Sequence, residues 1–589
     1  MLETKSVLEK INSNEDLKKL SIDELESLSN EMRDLIIKKV NTIGGHLGPN
    51  LGVVEMTIAL HKVFNTPRDK FVFDVSHQCY THKMITGRKE TFTNPELYLK
   101  YSGYTAPEES EHDLFKVGHT STSVSLALGL AKARDLKQEK HNVIAIIGDG
   151  SLSGGEAFEG FNNAATLGSN FIIVVNDNEM SIAENQGGLY SNLRLLRETN
   201  GEAECNIFKS LGFDYRYLEY GNDLSQLIDL FNCVKDIDHP IVLHIHTLKG
   251  KGSNLAESQK ERFHWMSPGE LDRDLSVINN NETYEKLTTD YILSMKAKGE
   301  PVVAITAATP AVSGFTKKIR EQMGENFVDV GIAEEHAVAY ASGLAKGGAK
   351  PIFAVMSSFV QRAYDQLLQD LALNNNPATI LVFWGGITGM DATHLTKYDI
   401  PMISNMPNLV YLAPTNKEEY LSMLEWSTHQ NEHSVVIRVP LSAVTSMGKI
   451  DNTDYSKLNK FKVTKSGAKV AIIGVGSYYD LAQKVVEEMK NKLRISATLI
   501  NPIYLTGVDK DVLEDLKINH DIVVTLESGS LEGGFGDKIS SFYNKSKMKV
   551  LNYGANKEFT DRVSQENLFD RYKLIPEKIV EDIENTIFL

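Results

Sequence analysis

Residues His141-Asn-Val-Ile-Ala-Ile-Ile-Gly-Asp-Gly-Ser151 are an unbroken apolar run closed by a glycine-bracketed aspartate. They lead through a helical stretch, FNNAATLGSN (161–170), into a second run, Phe171-Ile-Ile-Val-Val-Asn-Asp-Asn-Glu-Met180. Apolar runs of this length, each followed by a glycine turn and an amphipathic helix, are strands buried on both faces, as in a parallel sheet flanked by helices. The pattern recurs at PIVLHIHTLKGKG (240–252) and in two further regions. One runs from PVVAITAAT (301–309) through FVDVGIAEEHAVAYASGLAKGG (327–348) and PIFAVMSSFV (351–360) to VVIRVPLSA (435–443). The other begins at KVAIIGVGSYYDLAQKVVEEM (469–489) and continues to DIVVTLESGSLEGGFGD (521–537). The fold class is therefore α/β, with three tandem doubly wound domains and mostly parallel sheets. A polar, helical linker is expected around 275–298 and one poor in apolar periodicity around 443–465. These put the domains at 1–295, 296–455 and 456–589.

The length agrees, because 589 residues exceed what one hydrophobic core sustains. Sixty-two basic against 78 acidic residues give a net charge of −16, which argues against nucleic acid or an anionic membrane as a main partner. Cys79, Cys205 and Cys233 are widely spaced with no CxxC pair, and read as reduced thiols of a cytoplasmic protein. The first twenty residues lack the apolar core of a signal peptide and read as surface helix. No apolar run approaches the ~18–20 residues that span a bilayer.

Gly148-Asp149-Gly150 lies at the strand-to-helix crevice where open α/β sheets bind phosphorylated ligands. The glycines let backbone approach a diphosphate, and the aspartate offers a hard oxygen to a divalent cation. Such triplets are common turns when alone. Here, 178 − 149 = 29 positions on, the next strand ends in Asn176-Asp177-Asn178-Glu179-Met180, so one βαβ unit brings both ends to the same sheet edge. The pair resembles the thiamine diphosphate motif. That resemblance implies Mg²⁺ held by Asp149, Asn178 and the backbone carbonyl of Met180.

Thiamine chemistry also needs a glutamate at the far nitrogen of the cofactor's pyrimidine ring. Asp329-Val-Gly-Ile-Ala-Glu334-Glu335-His336 supplies a candidate where a strand turns into a helix. Either glutamate also suits the positive end of that helix. Glu334 is preferred because it matches the glutamate of the family string GIAEQH. Sites in two domains then serve one cofactor, and the resemblance implies a homodimer.

Longer strings narrow the resemblance. GGHLGPNLGVVEMTIALHKVFNTP (44–67), DVSHQCYTHKMITGR (74–88), ESEHDLFKVGHTSTS (109–123), SSFVQRAYDQLLQDLAL (357–373) and LESGSLEGGFGD (526–537) are similar to the 1-deoxy-D-xylulose-5-phosphate synthase family. Members of this transketolase-like family decarboxylate pyruvate on thiamine diphosphate. They add the two-carbon fragment to D-glyceraldehyde 3-phosphate. Proton traffic of that kind suits histidine, whose pKa lies near neutrality. His46, His264 and His394 match active-site histidines, and His77, Gly118, His119, Thr120 and Lys249 match positions near the cofactor. Phe359 matches an aromatic that stacks on the aminopyrimidine. Arg362, Asp391 and His394 are the substrate candidates.

Departures from the family pattern cluster in the second domain. In FWGGITGMDATHLTK (383–397), Trp384 replaces a phosphate-holding arginine, and one residue is missing between Asp391 and His394. In Arg438-Val-Pro-Leu441, Leu441 replaces a second arginine, and Met356 replaces a tyrosine of the same pocket. Each guanidinium contact to a phosphate is worth about 1.5–3 kcal/mol. Lys397 and a re-aimed Arg362 are the conceivable substitutes. A loop after Leu189 is shorter than in the family. The alternative to the family reaction is a related carboligase taking pyruvate, another 2-oxo acid or a ketol donor with a different aldehyde, phosphorylated or not. A transketolase or a non-catalytic cofactor-binding paralogue stands further off.

Overall fold

The computed structural model describes residues 6–273 and 281–588. The chain forms two compact units, Met1–Ile278 with Gly331–Ala333, and Asn279–Val330 with Glu334–Leu589.

The first unit is built on strands β1 (Lys70–Phe73), β2 (Val143–Gly148), β3 (Phe171–Asp177), β4 (Asp214–Leu218) and β5 (Pro240–His246). Their order is β1-β2-β3-β5-β4, and every pairing is parallel. Residues of β3 alternate between two cores. Phe171, Ile173 and Val175 join one, while Ile172 and Val174 join the other. Both faces are thus buried, which is why the strand sequence shows no polar alternation. The N-terminal stretch expected as surface helix is instead a short turn, Leu8–Lys10, and a short helix, Asn14–Leu17. Val7, Leu8, Ile11 and Leu17 are buried and pin it to the unit, so it is packed rather than floating. Its first five residues lie outside the described residues.

The second unit holds two sheets. One comprises β6 (Val302–Thr306), β7 (Phe327–Asp329), β8 (Lys350–Met356), β9 (Thr379–Phe383), β10 (Leu409–Leu412) and β11 (Ser434–Arg438), ordered β10-β11-β9-β8-β6-β7 and wholly parallel. The other comprises β12 (Lys462–Lys465), β13 (Lys469–Gly474), β14 (Thr498–Asn501), β15 (His520–Ser530) and β16 (Lys549–Ala555), ordered β12-β14-β13-β15-β16. Only β12 runs antiparallel, at the edge. Phe353 and Val355 of β8, with Ile473 of β13 and Val523 of β15, share one apolar core, so the two sheets form a single unit. Of the linker expected at 275–298, residues 275–280 lie outside the described residues. The rest contains the helix Tyr284–Ala297, whose Tyr284, Ile292 and Met295 are buried in the second unit. It is helical as read, but packed.

Candidate active site

In the first unit the register pairs Gly148 with Asn176, which brings Asp149 and Asn178 to one edge of the sheet. A side chain at Gly150 would meet Ser181 at 2.9 Å, so only glycine fits there. At Gly148 a Cβ would meet nothing within 4 Å. Asp149 is buried and accepts from Asn185 Nδ2 at 2.7 Å. Burial, and then the charge of Asp177, push its carboxyl well above the usual range. Asp177 itself is satisfied by Arg197 and by His244 at 2.8 Å. An ionised Asp149 therefore calls for a cation beside it. Asn178 Oδ1 is buried without a hydrogen-bond partner, as a metal-directed oxygen would be. Met180 forms an antiparallel bridge with Glu184. These residues fit a divalent cation and a diphosphate.

Two residues here escaped the sequence reading. Asn185 braces Asp149, and the Tyr190 hydroxyl donates to the carbonyls of Asp149 and Gly150 at 3.2 and 3.1 Å. Tyr190 lies in the helix Gly188–Glu198, which also contains Leu189.

Three histidines meet in the same unit. Gly45 and Met266 exchange backbone hydrogen bonds of 2.9 Å, and the amide of Gly48 donates to the Phe263 carbonyl at 2.8 Å. This pairing joins stretches more than 200 residues apart. It sets the rings of His46 and His264 at 5.5 Å, His46 and His77 at 4.8 Å, and His77 and His264 at 5.6 Å, measured between centroids. Gly44 and Gly45 have φ of 82° and 133°, values that side chains rarely adopt. Asn50, which the sequence reading also passed over, fastens the group. Its amide donates to the carbonyls of His46 and His77 at 2.8 Å each, and its oxygen accepts from the Tyr80 amide.

Lys249 is only 2% exposed and donates to the Ser181 carbonyl at 2.6 Å, with His264 Nδ1 at 3.1 Å. Burial pushes its ammonium down to about 7. Burial, and then the Lys249 charge, hold His264 well below the usual imidazole range. Gly118, His119 and Thr120 lie in the turn before the helix Ser123–Leu136. That turn is fixed by Asp74, which accepts from the amides of Ser121 and Ser123 at 2.8 and 3.0 Å.

In the second unit Glu334 opens the helix Glu334–Lys346 and is 3% exposed, with Oε2 lacking a hydrogen-bond partner, while Glu335 is half-buried. Burial raises the Glu334 carboxyl to about 7, with the Arg362 charge opposing. A buried, protonated or proton-sharing carboxyl with an open oxygen fits the ring nitrogen of a pyrimidine. Phe359 meets His394 edge-on at 5.8 Å between centroids. His394 Nδ1 lies 2.9 Å from Thr393 Oγ1 and 3.5 Å from Asp391 Oδ1. Burial alone would raise the Asp391 carboxyl, but its bonds with His394 and Thr393 outweigh that and hold it at about 2.

The divergent positions resolve differently. Trp384 adopts φ of 63° and packs against the core that contains Phe383 and Leu412. Met356 is buried, whereas Leu441 is 40% exposed and lies 3.9 Å from a Cβ built on Gly386. Lys397, considered as a replacement phosphate ligand, is corrected by the structure. It is 3% exposed and donates to the Asn556 carbonyl at 3.1 Å, facing the third sheet. Arg438 is likewise committed, to Asp399 at 2.6 and 3.1 Å and to Ser528.

Residues 8–204 match the family model described as 1-deoxy-D-xylulose-5-phosphate synthase. Residues 282–446 match the transketolase pyrimidine binding domain and 459–579 the transketolase C-terminal domain. Fold and domain content make this a transketolase-like thiamine diphosphate-dependent transferase. The chain is 38% identical over 616 residues to the 1-deoxy-D-xylulose-5-phosphate synthase of Dictyoglomus thermophilum, covering 98% of each. It is 37% identical over 624 residues to that of Caldanaerobacter subterraneus subsp. tengcongensis and 36% over 618 to that of Alkaliphilus oremlandii, again covering 98% of each. It belongs to the 1-deoxy-D-xylulose-5-phosphate synthase family. Among solved structures, a transketolase from Leishmania mexicana aligns at TM-score 0.43 and 13% identity over 96% of this chain and 97% of that one.

Proposed function

We propose that the protein joins pyruvate, with loss of CO₂, to D-glyceraldehyde 3-phosphate, giving 1-deoxy-D-xylulose 5-phosphate. The observation that carries the reading is the pair of buried, unpartnered oxygens, Asn178 Oδ1 and Glu334 Oε2, in a chain of this family. Bound thiamine diphosphate supplies the thiazolium that accepts the electrons released on decarboxylation. Asp149, Asn178 and the Met180 carbonyl hold Mg²⁺ in this reading, and Gly118–Thr120, Gly148, Gly150, His77 and Lys249 receive the diphosphate end. Glu334 shares its proton with the pyrimidine nitrogen, and Phe359 stacks on that ring. His46 and His264 hold and move protons at the oxygens of the donor, while Asp391, His394 and Arg362 orient the aldehyde. The proposal includes a homodimer in the cytoplasm. The three cysteines are free thiols, and no described helix is long and apolar enough to cross a membrane.

One observation favours a second reading, an unphosphorylated acceptor. Lys397 and Arg438, two cations near the Asp391 loop, are engaged inside the protein, and Trp384, Met356 and Leu441 are apolar. Incubating enzyme, cofactor, Mg²⁺ and pyruvate with either D-glyceraldehyde 3-phosphate or D-glyceraldehyde, with products identified by NMR, separates the two. Turnover dominated by the phosphorylated aldehyde removes the second reading. Absence of pyruvate-dependent CO₂ release with either removes both.

A further inference from the structure

The stretch that carries Asp391 and His394 is held partly by its own hydrogen bonds, such as the His394 amide to the Asp391 carbonyl at 3.1 Å and the Gly386 amide to the Thr396 carbonyl at 2.8 Å, and partly from outside. Residues 387–398 contain neither strand nor helix, and the next helix begins at Asp399. The outside anchors include a distant segment, residues 556–565, which runs from the end of β16 into the helix Gln565–Arg571. At one end of the stretch, Gln565 Nε2 donates to the Ile387 carbonyl at 3.1 Å. At the other, Lys397 Nζ donates to the Asn556 carbonyl at 3.1 Å and the Tyr398 hydroxyl to the Glu558 carbonyl at 2.9 Å.

The central contacts flank Asp391. The amide of Arg562 donates to the Met390 carbonyl at 3.0 Å, and the amide of Ala392 donates to Asp561 Oδ1 at 3.0 Å. A Cβ at Gly389 would stand 2.9 Å from the Val563 carbonyl, so glycine is what lets the two segments approach. Arg562 accepts a φ of 52° to make this contact, and its guanidinium turns back onto Asp561 Oδ2 at 3.1 Å. A non-glycine residue held at positive φ persists only where its surroundings fix it.

We propose that Asp561 is a positioning residue for the acceptor. Its carboxylate fixes the Ala392 amide, and so the backbone turn that aims Asp391 and His394. This rests on the reading of those two side chains as acceptor-facing. The amide bond to Asp561 lies one peptide from Asp391. The carboxylate of Asp391 in turn receives the Thr393 amide at 2.9 Å and the Thr393 hydroxyl, so loosening the first anchor loosens the pair. The third-sheet part of the chain thereby takes part in acceptor recognition without touching the acceptor.

Asp561→Ala removes the anchoring oxygen, whereas Asp561→Asn keeps one. The side chain of Asp561 is 28% exposed, so neither change opens a core. Hydrogen–deuterium exchange of the full-length protein without substrates reads the anchor directly. In Asp561→Ala, exchange across 387–396 rises by about tenfold, the scale of losing one hydrogen bond to a charged group, and in Asp561→Asn it stays near wild type. In steady-state assays the KM for the aldehyde rises by a similar factor in Asp561→Ala while that for pyruvate is unmoved, and Asp561→Asn restores it. Unchanged exchange in Asp561→Ala overturns the proposal whatever the kinetics. Raised exchange with an aldehyde KM that moves in Asp391→Ala but not in Asp561→Ala also overturns it. An aldehyde KM that moves in neither variant shows that the acceptor assignment itself was wrong, and the proposal falls with it.

Discussion

Replacing Glu334 by glutamine will make the cofactor-free protein progressively more stable than wild type as pH rises. In the unfolded chain the carboxyl ionises near 4.5, and in the folded protein, where burial outweighs the Arg362 charge, near 7. Between those values the folded state keeps a proton that the unfolded state has released, so wild-type stability falls as pH rises through the window and levels off above it. The full cost is (7 − 4.5) × 1.36, about 3.4 kcal/mol, because one pH step corresponds to about 1.36 kcal/mol. Part of it is already present at pH 5, so the gain of Glu334→Gln over wild type grows by about 2.5 kcal/mol between pH 5 and pH 8.5. Glutamine is nearly isosteric and cannot ionise, so packing is retained. Urea unfolding of both proteins without cofactor, followed by tryptophan fluorescence, measures this, since Trp384 and Trp426 both lie in the second unit. Comparing the two proteins at each pH cancels every other titrating group. A stability difference that stays flat from pH 5 to 8.5 would refute the assignment of a buried, proton-retaining carboxyl.

Asp149→Ala should abolish the Mg²⁺-dependent rise in melting temperature seen with thiamine diphosphate, measured by differential scanning fluorimetry, because the cation loses its only charged ligand in the proposed set. Asn50→Ala removes three hydrogen bonds around His46, His77 and Tyr80; denaturant titration should show a loss of about 2–3 kcal/mol, at about 1 kcal/mol for each bond. Asp399→Ala leaves Arg438 buried without its partner and should cost about 3–5 kcal/mol in the same assay. Leu441→Arg, at a half-exposed position, should raise kcat/KM for D-glyceraldehyde 3-phosphate relative to D-glyceraldehyde by about tenfold, as one added guanidinium–phosphate contact would; an unchanged ratio would mean that Leu441 does not face the acceptor.

What could be read without the structure was what is local. Strand, glycine turn and helix follow one another within thirty residues, so the parallel sheets and the shared edge of Asp149 and Asn178 could be inferred from spacing alone. The strand-to-helix turn that carries Glu334 and Glu335 was legible for the same reason, whereas the choice of Glu334 between them rested on the resemblance to the string GIAEQH. Asn50, Asn185, Tyr190 and Asp561 were not legible. Each is a polar residue in a loop or on a helix, with no periodicity to single it out, and each acts on a partner brought near by folding.

The histidine trio shows the division clearly. Its members were named from matched strings, but their meeting depends on Gly45 pairing with Met266, a contact between remote stretches that no local pattern encodes. Lys397 shows the converse, since its place in the sequence made it a candidate phosphate ligand, whereas packing turns it towards Asn556. The sequence by itself determined the α/β class, the cofactor motif and the chemical types available at each sheet edge, because hydrophobic period and turn chemistry act over a few residues. Only the tertiary structure decided which charges are neutralised internally and which polar atoms are left open to a ligand, because burial and hydrogen-bond satisfaction depend on neighbours that are distant in the chain.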